Sequence, residues 1–215
     1  MNIFTVSFFG HRIIPEFREA EDRVEALVHA LLLEKEYVEF LVGRDGDFDQ
    51  IVSSAVKRQK RIVRDDNSSL IWILPYPTAE LRNNMENFEA YYDEIEICGS
   101  AASSHPKGAF QIRNRQMVKR SDLVVFYVDH TGGGAYQTMQ YAKKADAKIM
   151  NLLEDPDITF NTKSKVDLTA LAQAFPLQEG VTIGGDLEAD LRLKCRLSSI
   201  KKQDLGRIRL GGKLK

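Results

Sequence analysis

The chain has 215 residues, of which 30 are Lys or Arg and 31 are Asp or Glu, so its formal net charge is −1. The 43% of hydrophobic residues can form the core of one domain of ordinary size, which excludes a chain that is largely disordered. No apolar run reaches the roughly 18 residues of a membrane span, and no membrane partner is expected. No signal peptide, disulfide framework or zinc site is indicated, so a cytoplasmic location is expected.

This net charge is the sum of two oppositely charged parts. Residues 192–215 hold nine Lys or Arg and one Asp, a charge of +8, whereas residues 1–191 hold 21 basic and 30 acidic side chains, a charge of −9. An acidic body is a poor surface for a phosphate backbone. We therefore expect a contact with nucleic acid, if there is one, only through the basic tail.

Apolar runs typical of buried strands alternate along the chain with segments of helical periodicity. Strands are predicted at 3–9, 37–42, 69–74, 122–128 and 148–153, and helices at about 15–32, 48–64, 110–120 and 135–145. Residues 80–107 are irregular, with a short helix and a strand near Ile95 and Ile97. This alternation predicts an α/β fold over residues 1–155, a doubly wound, mostly parallel Rossmann-like sheet with helices on both faces. Residues 156–215 are a C-terminal extension whose fold the pattern does not predict.

Ligands of doubly wound folds bind beyond the carboxyl ends of the strands. The predicted loops at that edge are 10–15, 43–49, 75–78 and 129–134. In the last of these, Gly132, Gly133 and Gly134 follow a buried strand and precede a helix, where close backbone approach and free N–H groups favour a phosphate. A tight turn without a ligand explains the glycines alone equally well. Neither G-x-G-x-x-G nor a P-loop is present, so NAD binding and ATP hydrolysis are not indicated.

Arginines and a histidine stand near the same loops. Arg113 and Arg115 occupy the helix that precedes the last long strand, and Gly10, His11 and Arg12 follow the first strand. A guanidinium could bind a phosphate bidentately, and His11 could contact a ribose or a base. A solvated helix face and a surface turn explain the same residues without a ligand.

The pattern assigns no metal site and no catalytic group. His11, His105 and His130 lie in predicted loops, but no carboxylate or cysteine stands at a recognised ligand spacing. A carboxylate could stabilise or attack an anomeric carbon. The carboxylates near the ligand loops or in the irregular stretch are Asp45, Asp47, Asp49, Asp129, Glu89, Asp93 and Glu94. No Ser-His-Asp or Cys-His arrangement is recognisable.

Three segments form a more specific array. They are FFGHR at the first strand, GDFDQIVSSAVKR at the second helix, and HPKGAFQIRNRQMVKRSDLVVFYVDHTGGGAYQTMQYAKKADAKIMNL. Over about residues 3–152 this array resembles the SLOG superfamily, the Rossmann-like group that includes the lonely-guy phosphoribohydrolases and the DprA/Smf proteins. Within it, the likeness is greatest to a bacterial and phage branch near YpsA and YspA.

The resemblance implies a pocket for a nucleotide or nucleotide-sugar ligand, with no further cofactor. By position, its ligand and phosphate contacts would be Gly10, His11, Arg12, Asp49, Arg113 or Arg115, Gly132, Gly133, Gly134, Thr138 and Gln140. The phosphoribohydrolases carry P-G-G-x-G-T-x-x-E with a catalytic final Glu, whereas this chain has TGGGAYQTMQ, with Met139 or Gln140 at that position. Neither residue is a carboxylate, so hydrolysis of that type is not expected.

Three hypotheses follow in order of preference. The first is a protein that binds or senses a nucleotide-derived small molecule. The second is a nucleotide N-glycosidase or deoxyribosyltransferase-like enzyme that uses Asp49, Glu89 or Asp93. The third is a DprA-like, DNA-associated protein whose basic tail contacts phosphates. The resemblance also makes a homo-oligomer an expectation, without naming its interface.

Overall fold

The computed structural model describes residues 1–154, in which a sheet is covered by helices. The strands are β1 (Ile3–Gly10), β2 (Tyr37–Val42), β3 (Ser68–Leu74), β4 (Glu94–Ile97), β5 (Leu123–Tyr127) and β6 (Ile149–Asn151). The helices are α1 (Phe17–Glu34), α2 (Asp47–Ile62), α3 (Ala79–Asn83), α4 (Met85–Tyr91), α5 (Gly99–Ala102), α6 (Pro106–Arg120) and α7 (Gly133–Lys144). None of these helices is both long and apolar enough to cross a membrane. The extension predicted at 156–215, including its basic tail, lies outside the described residues.

The six strands are all parallel, in the order β4-β3-β2-β1-β5-β6. The chain winds outward from β1 to β4 and then returns to place β5 on the other side of β1. The predicted doubly wound α/β fold is confirmed, and the described sheet is wholly parallel. Because the winding reverses between β1 and β5, the topological switch point lies there. Gly10 is in register with Tyr127, so the loops after these two strands leave the sheet at the same level.

Each face of the sheet has its own apolar core, which explains why the strands read as continuous apolar runs. Successive side chains of a strand point to opposite faces. Val6 and Phe8 of β1 accordingly pack in the cluster that contains the buried residues of α1 and α2, whereas Phe9 packs with those of α6 and α7. Full burial of a side chain such as Phe8 stabilises the fold by roughly 1.5–3 kcal/mol. The two cores hold the loop-bearing edge of the sheet in a fixed geometry.

Two helix boundaries near the predicted ligand loops differ from the sequence-based expectation. Helix α6 begins at Pro106, with His105 as its N-cap, because proline suits the first turn and Nδ1 of His105 accepts a hydrogen bond from the backbone of Lys107. Helix α7 begins at Gly133, with Gly132 as its N-cap. Two of the three glycines are therefore the first turn of the helix itself.

The stretch predicted to be irregular, residues 80–107, contains more regular structure than expected. It holds most of α3, all of α4 and α5, and the edge strand β4. The expected strand near Ile95 and Ile97 is confirmed as β4, which pairs with β3. Short elements of four to seven residues give weak periodic signals, so their number could not be counted from the sequence.

Candidate functional site

A cleft of about 520 Å³ opens at the switch point, beyond the carboxyl ends of β1 and β5. Its volume falls in the range of small-molecule sites, and its position is the one expected for a ligand of this fold. We call it the switch-point cleft. Residues of four segments line it, together with His130: 8–13 at the end of β1 and after it, 43–49 before and within α2, 110–114 of α6, and 133–135 of α7.

The first loop is fixed against the start of α2. The backbone N–H of Asp47 donates to the carbonyl oxygen of Arg12 at 2.8 Å, and the Asp47 carboxylate accepts from the backbone N–H of Ile14 at 3.1 Å. A Cβ on Gly46 would lie 2.5 Å from Cα of Arg12, so this approach requires glycine. The Arg12 side chain remains exposed at the rim of the cleft.

One side of the cleft is formed by Asp45, Asp49 and Arg113, which we call the charged wall. Arg113 is buried, and its Nη1 donates to the carbonyl oxygen of Ile73 at 3.0 Å, while Nη2 donates to Asp45 at 2.9 Å. Asp49 accepts from the backbone N–H of Asp45 at 2.8 Å. Burial raises the pKa of Asp49 to about 6, against the lowering effect of Arg113 and of backbone hydrogen bonds from Asp45 and Gly43. The cleft thus contains a carboxyl group that titrates near neutral pH.

The start of α7 contributes free backbone donors. Its N-cap, Gly132, has no side chain with which to accept from the first N–H groups. Gly133 has a φ of 77°, a conformation that favours glycine. A Cβ at Gly134 would meet nothing within 4 Å, so the space beside this turn is open. The N–H groups and the helix dipole together favour an anion at this point.

Beside this turn, His11, Asp129 and His130 form a cluster, which together with Gly132–Gly134 we call the histidine wall. The rings of His11 and His130 stack with centroids 3.7 Å apart and planes at 11°. Nε2 of His11 lies 3.1 Å from Oδ1 of Asp129, and Nδ1 of His130 hydrogen-bonds the same oxygen. Burial and His130 lower the pKa of His11, with Asp129 opposing them, which favours the neutral form of the ring.

Three buried polar atoms of the cleft residues have no hydrogen-bond partner: Nε2 of His11, Nε of Arg113 and Oδ1 of Asn114. Nε2 of His11 is close to Asp129, but the contact lacks the direction of a hydrogen bond. Only two other side-chain atoms of residues 1–154 are in this state, on Asn67 and Ser68. Because each unpaired buried polar group costs roughly 1–3 kcal/mol, such atoms are rare in folded proteins. Their concentration in one cleft indicates a place where a polar ligand would be stabilised.

The structure brings most of the residues predicted to contact a ligand to this cleft. Those that line it are Gly10, His11, Arg12, Asp49, Arg113, Gly133 and Gly134. Gly132 adjoins it, and a Cβ there would lie 3.4 Å from the ring of His130. Of the alternatives Arg113 and Arg115, only Arg113 reaches the cleft, because residues two apart point to different sides of a helix.

Arg115, Thr138 and Gln140 do not line the cleft but a separate groove of about 410 Å³ formed by α6 and α7. The guanidinium of Arg115 lies 5.2 Å from the ring centroid of Tyr141. The Thr138 hydroxyl is buried, donates to the carbonyl oxygen of Gly134 and accepts from the side chain of Asn114. Thr138 therefore supports the first turn of α7 from within.

The two residues at the position of the phosphoribohydrolase Glu also lie outside the cleft. Met139 is buried in the apolar cluster that contains Met117 and Phe126. Gln140 faces the α6–α7 groove. Neither side chain therefore lines the switch-point cleft.

The other two acids of the enzyme hypothesis, Glu89 and Asp93, do not line the cleft. Asp93 precedes β4, at the amino end of the strands, where it pairs with Lys60 and accepts from the backbone N–H of Leu70. Glu89 lies in α4, and neither it nor Glu94 lines the cleft. Asp49 is therefore the one acid of the enzyme hypothesis that reaches the cleft.

The sequence candidates on α6 left out two residues that line the cleft. Phe110 and Asn114 lie three positions before and one after Arg113 on α6, and all three line the cleft. This is the i, i+3, i+4 spacing of one helix face, so the location of Arg113 would have identified both. The contact of Arg113 with Asp45 spans 68 residues and has no local signal.

The fold and the cleft define a Rossmann-like α/β protein with a polar site at its topological switch point. No protein-family profile and no curated protein matches the sequence. The fold is similar to that of DNA processing protein A (DprA) from Streptococcus pneumoniae, with a TM-score of 0.52 and 15% identity over 69% of this chain and 50% of that chain. DNA processing protein A from Helicobacter pylori gives a TM-score of 0.49 and 15% identity over 69% of this chain and 64% of that chain. The chain thus shares the Rossmann-like fold of the first of these proteins and spans about half of its length.

Proposed function

We propose that this protein binds a nucleotide-derived small molecule in the switch-point cleft, with a phosphate at the start of α7. The observation that carries the proposal is the concentration of unpaired buried polar atoms in this cleft, on His11, Arg113 and Asn114. The protein would then be a ligand-binding or sensing domain of the SLOG type, from the branch near YpsA and YspA that its sequence resembles.

Each part of such a ligand has a chemical counterpart in the cleft. The uncapped N–H groups at Gly133 and Gly134 suit a phosphate, and the exposed Arg12 can add a charge-assisted hydrogen bond. Asn114 lines the cleft, and its buried, unpartnered Oδ1 would become an acceptor for a ribose hydroxyl or a base amine if the side chain turned toward the ligand. Phe110 offers an aromatic surface for a base.

Isothermal titration of the full-length protein against ADP-ribose derivatives, cyclic nucleotides and nucleoside monophosphates tests the proposal. We expect at least one of them to bind with a Kd on the order of micromolar, about −8 kcal/mol. A panel that gives no binding in this range would overturn the proposal.

A charge placed at the α7 turn separates loss of binding from loss of folding. In a Gly134→Asp variant the carboxylate occupies open space, where it repels a phosphate while it stabilises the helix N-terminus by roughly 0.3–1 kcal/mol. We expect weaker ligand binding together with an unchanged or higher Tm. Gly108→Asp is the matched control, because Gly108 is also an open position in the first turn of a helix but lies outside the cleft.

Asp49 favours a second candidate, an N-glycosidase or deoxyribosyltransferase-like enzyme. Its carboxyl group lines the cleft and has a pKa raised to about 6, a value suited to proton transfer near neutral pH. Release of free base from a nucleotide, lost in Asp49→Asn but retained in Asp93→Asn, would support catalysis. Nucleotide binding without release of free base would contradict this enzyme candidate and agree with a binding or sensing role.

Association with DNA is a third candidate, suggested by the fold likeness to DNA processing protein A and by the basic tail at residues 192–215. The described part of the chain holds 19 basic and 23 acidic residues, a charge of −4, and gives little support to such a surface. Binding to DNA that falls steeply with salt, and that disappears when residues 192–215 are deleted, would be its signature.

A further inference from the structure

We propose that His11, Asp129 and His130 form a binding site for one divalent transition-metal ion of the zinc type. The proposal goes beyond nucleotide binding, because it concerns the metal ion alone.

The three side chains offer ligand atoms that already converge. One atom from each residue lies within 4.8 Å of the other two, so an ion at their centre is within about 2.8 Å of each. Small rotations of Asp129 and His130, whose side chains are 59% and 62% exposed, would close these distances to the roughly 2.0–2.2 Å of zinc bonds. Nε2 of His11 and Nδ1 of His130, on two stacked rings, both lie beside the same carboxylate oxygen of Asp129.

His11 is held in place as a ligand would be. Its side chain is only 10% exposed, yet its Nε2 is buried, faces Asp129 and makes no hydrogen bond. In the tautomer that carries its proton on Nδ1, Nε2 presents an unused lone pair, and coordination of a cation by this lone pair removes the cost of burying it. This unpartnered atom is the observation that separates the cluster from an ordinary group of surface charges.

The donor set selects the class of ion. Two imidazoles and one carboxylate suit zinc and the neighbouring transition metals, whereas calcium and magnesium require oxygen ligands. Three protein ligands also leave at least one coordination position open, as in catalytic rather than structural zinc sites. The exposed side chains of Asp129 and His130 place that position on the solvent side of the cluster.

The α7 turn lies directly beside this site. A Cβ on Gly132 would be 3.4 Å from the His130 ring, and Asp129 precedes the N-cap by three residues. The Asp129 carboxylate by itself would repel an anion at the turn. A bound cation reverses that local charge, so the metal and the free N–H groups would attract the same anionic group.

Titration of untagged, chelator-treated, full-length protein with Zn²⁺ tests the proposal by calorimetry. We expect saturation at one ion per chain and a rise in Tm with added metal. Co²⁺ in the same site should give visible d–d absorption, and X-ray absorption of the zinc form should show two imidazole ligands. Absence of saturable binding at one equivalent would overturn the proposal.

Variants locate the ion. Asp129→Asn and His130→Ala alter exposed side chains, so the fold should persist. Each should weaken Zn²⁺ binding by more than about 100-fold. Loss of a residue that only hydrogen-bonds a metal ligand typically costs about 10–100-fold. His105→Ala is the matched control, since His105 is an exposed histidine outside the cluster, and its affinity should remain within about twofold of the unmodified chain. Equal affinity in all three variants would place the ion elsewhere and contradict the assignment. Since nucleotides are not used, this outcome is independent of the proposed ligand.

Discussion

The two walls of the cleft both contain buried polar side chains but differ in how these are paired. In the charged wall, Arg113 donates to Ile73 and Asp45, and Asp49 accepts from backbone N–H groups. In the histidine wall, Nε2 of His11 has no hydrogen bond and α7 has no side-chain cap. Burial of a charge is therefore a poor guide to a ligand site in this protein. Arg113 pairs Nη1 and Nη2 within the protein and leaves only Nε without a partner, so the charged wall mainly supports the fold. The histidine wall instead offers an unpaired ring nitrogen and free backbone N–H groups to a ligand.

The largest expected effect tests the structural role of the charged wall. Replacement Arg113→Met keeps the side-chain length but leaves Asp45 and Asp49 without their cation, so we expect a loss of about 3–4 kcal/mol in the free energy of unfolding. Urea denaturation measures this loss. Arg115→Met, on the neighbouring groove, is the control and should change stability by less than about 0.5 kcal/mol. Equal losses in both variants would show that the charged wall has no special role.

Much of this arrangement could be predicted from the sequence, because periodicity and loop position are local properties. The alternation of apolar runs and helices gave the doubly wound sheet, and the switch point then placed Gly10 and Gly134 in loops at the same edge. The register of Gly10 with Tyr127 provides the physical basis for that proximity.

The pairing that distinguishes the two walls could not be predicted, because it depends on side chains far apart in the sequence. His11 and Asp129 meet only after β1 and β5 pair, and the spacing of metal ligands along the chain gave no sign of them. Likewise, the exact start of α7 is set by Gly132 and Gly133, which as loop residues were expected to precede it.

The pH dependence of stability should have opposite signs for the two walls. Asp49 has a pKa raised from 3.8 to about 6, so the folded state binds its proton more tightly than the unfolded state. Protonation of Asp49 therefore contributes up to about 3 kcal/mol to the free energy of unfolding. This contribution is fully present below about pH 4 and is lost as the pH rises through 6. Urea unfolding at pH 4 and pH 7 should show this loss in the unmodified chain but not in Asp49→Asn.

Asp129 provides the comparison. Its pKa is lowered, chiefly by the hydrogen bond from His130, so its contribution to stability is present above its unfolded value of 3.8 and is lost as the pH falls further. In the unmodified chain the free energy of unfolding should therefore fall as the pH drops below about 4. In Asp129→Asn this fall should be smaller. A change of the same sign in both variants would contradict the distinction between the walls.

A smaller effect is expected where the first loop contacts α2. In Gly46→Ala the new methyl group would lie 2.5 Å from Cα of Arg12, a backbone atom that no rotamer change can move. We expect a loss of about 1–3 kcal/mol, the usual cost of overpacking. Urea denaturation gives the magnitude, and a shift in the amide NMR signals of residues 10–13 would show that the loop has moved. Unchanged stability and signals would mean that the contact is not maintained in solution.

The smallest effect has the opposite sign and concerns the open space of the histidine wall. At Gly134 a methyl group meets no atom within 4 Å and the residue is helical, so Gly134→Ala should stabilise the chain by roughly 0.5 kcal/mol. Gly133→Ala, one residue earlier, should destabilise it by about 1–2 kcal/mol because φ there is 77°. If Gly134→Ala also weakens nucleotide binding, the methyl group that stabilises the helix also obstructs the ligand. This is expected where a backbone must approach a ligand closely. If its affinity is unchanged, the phosphate does not lie against Gly134, and the anion contact must be sought at Arg12.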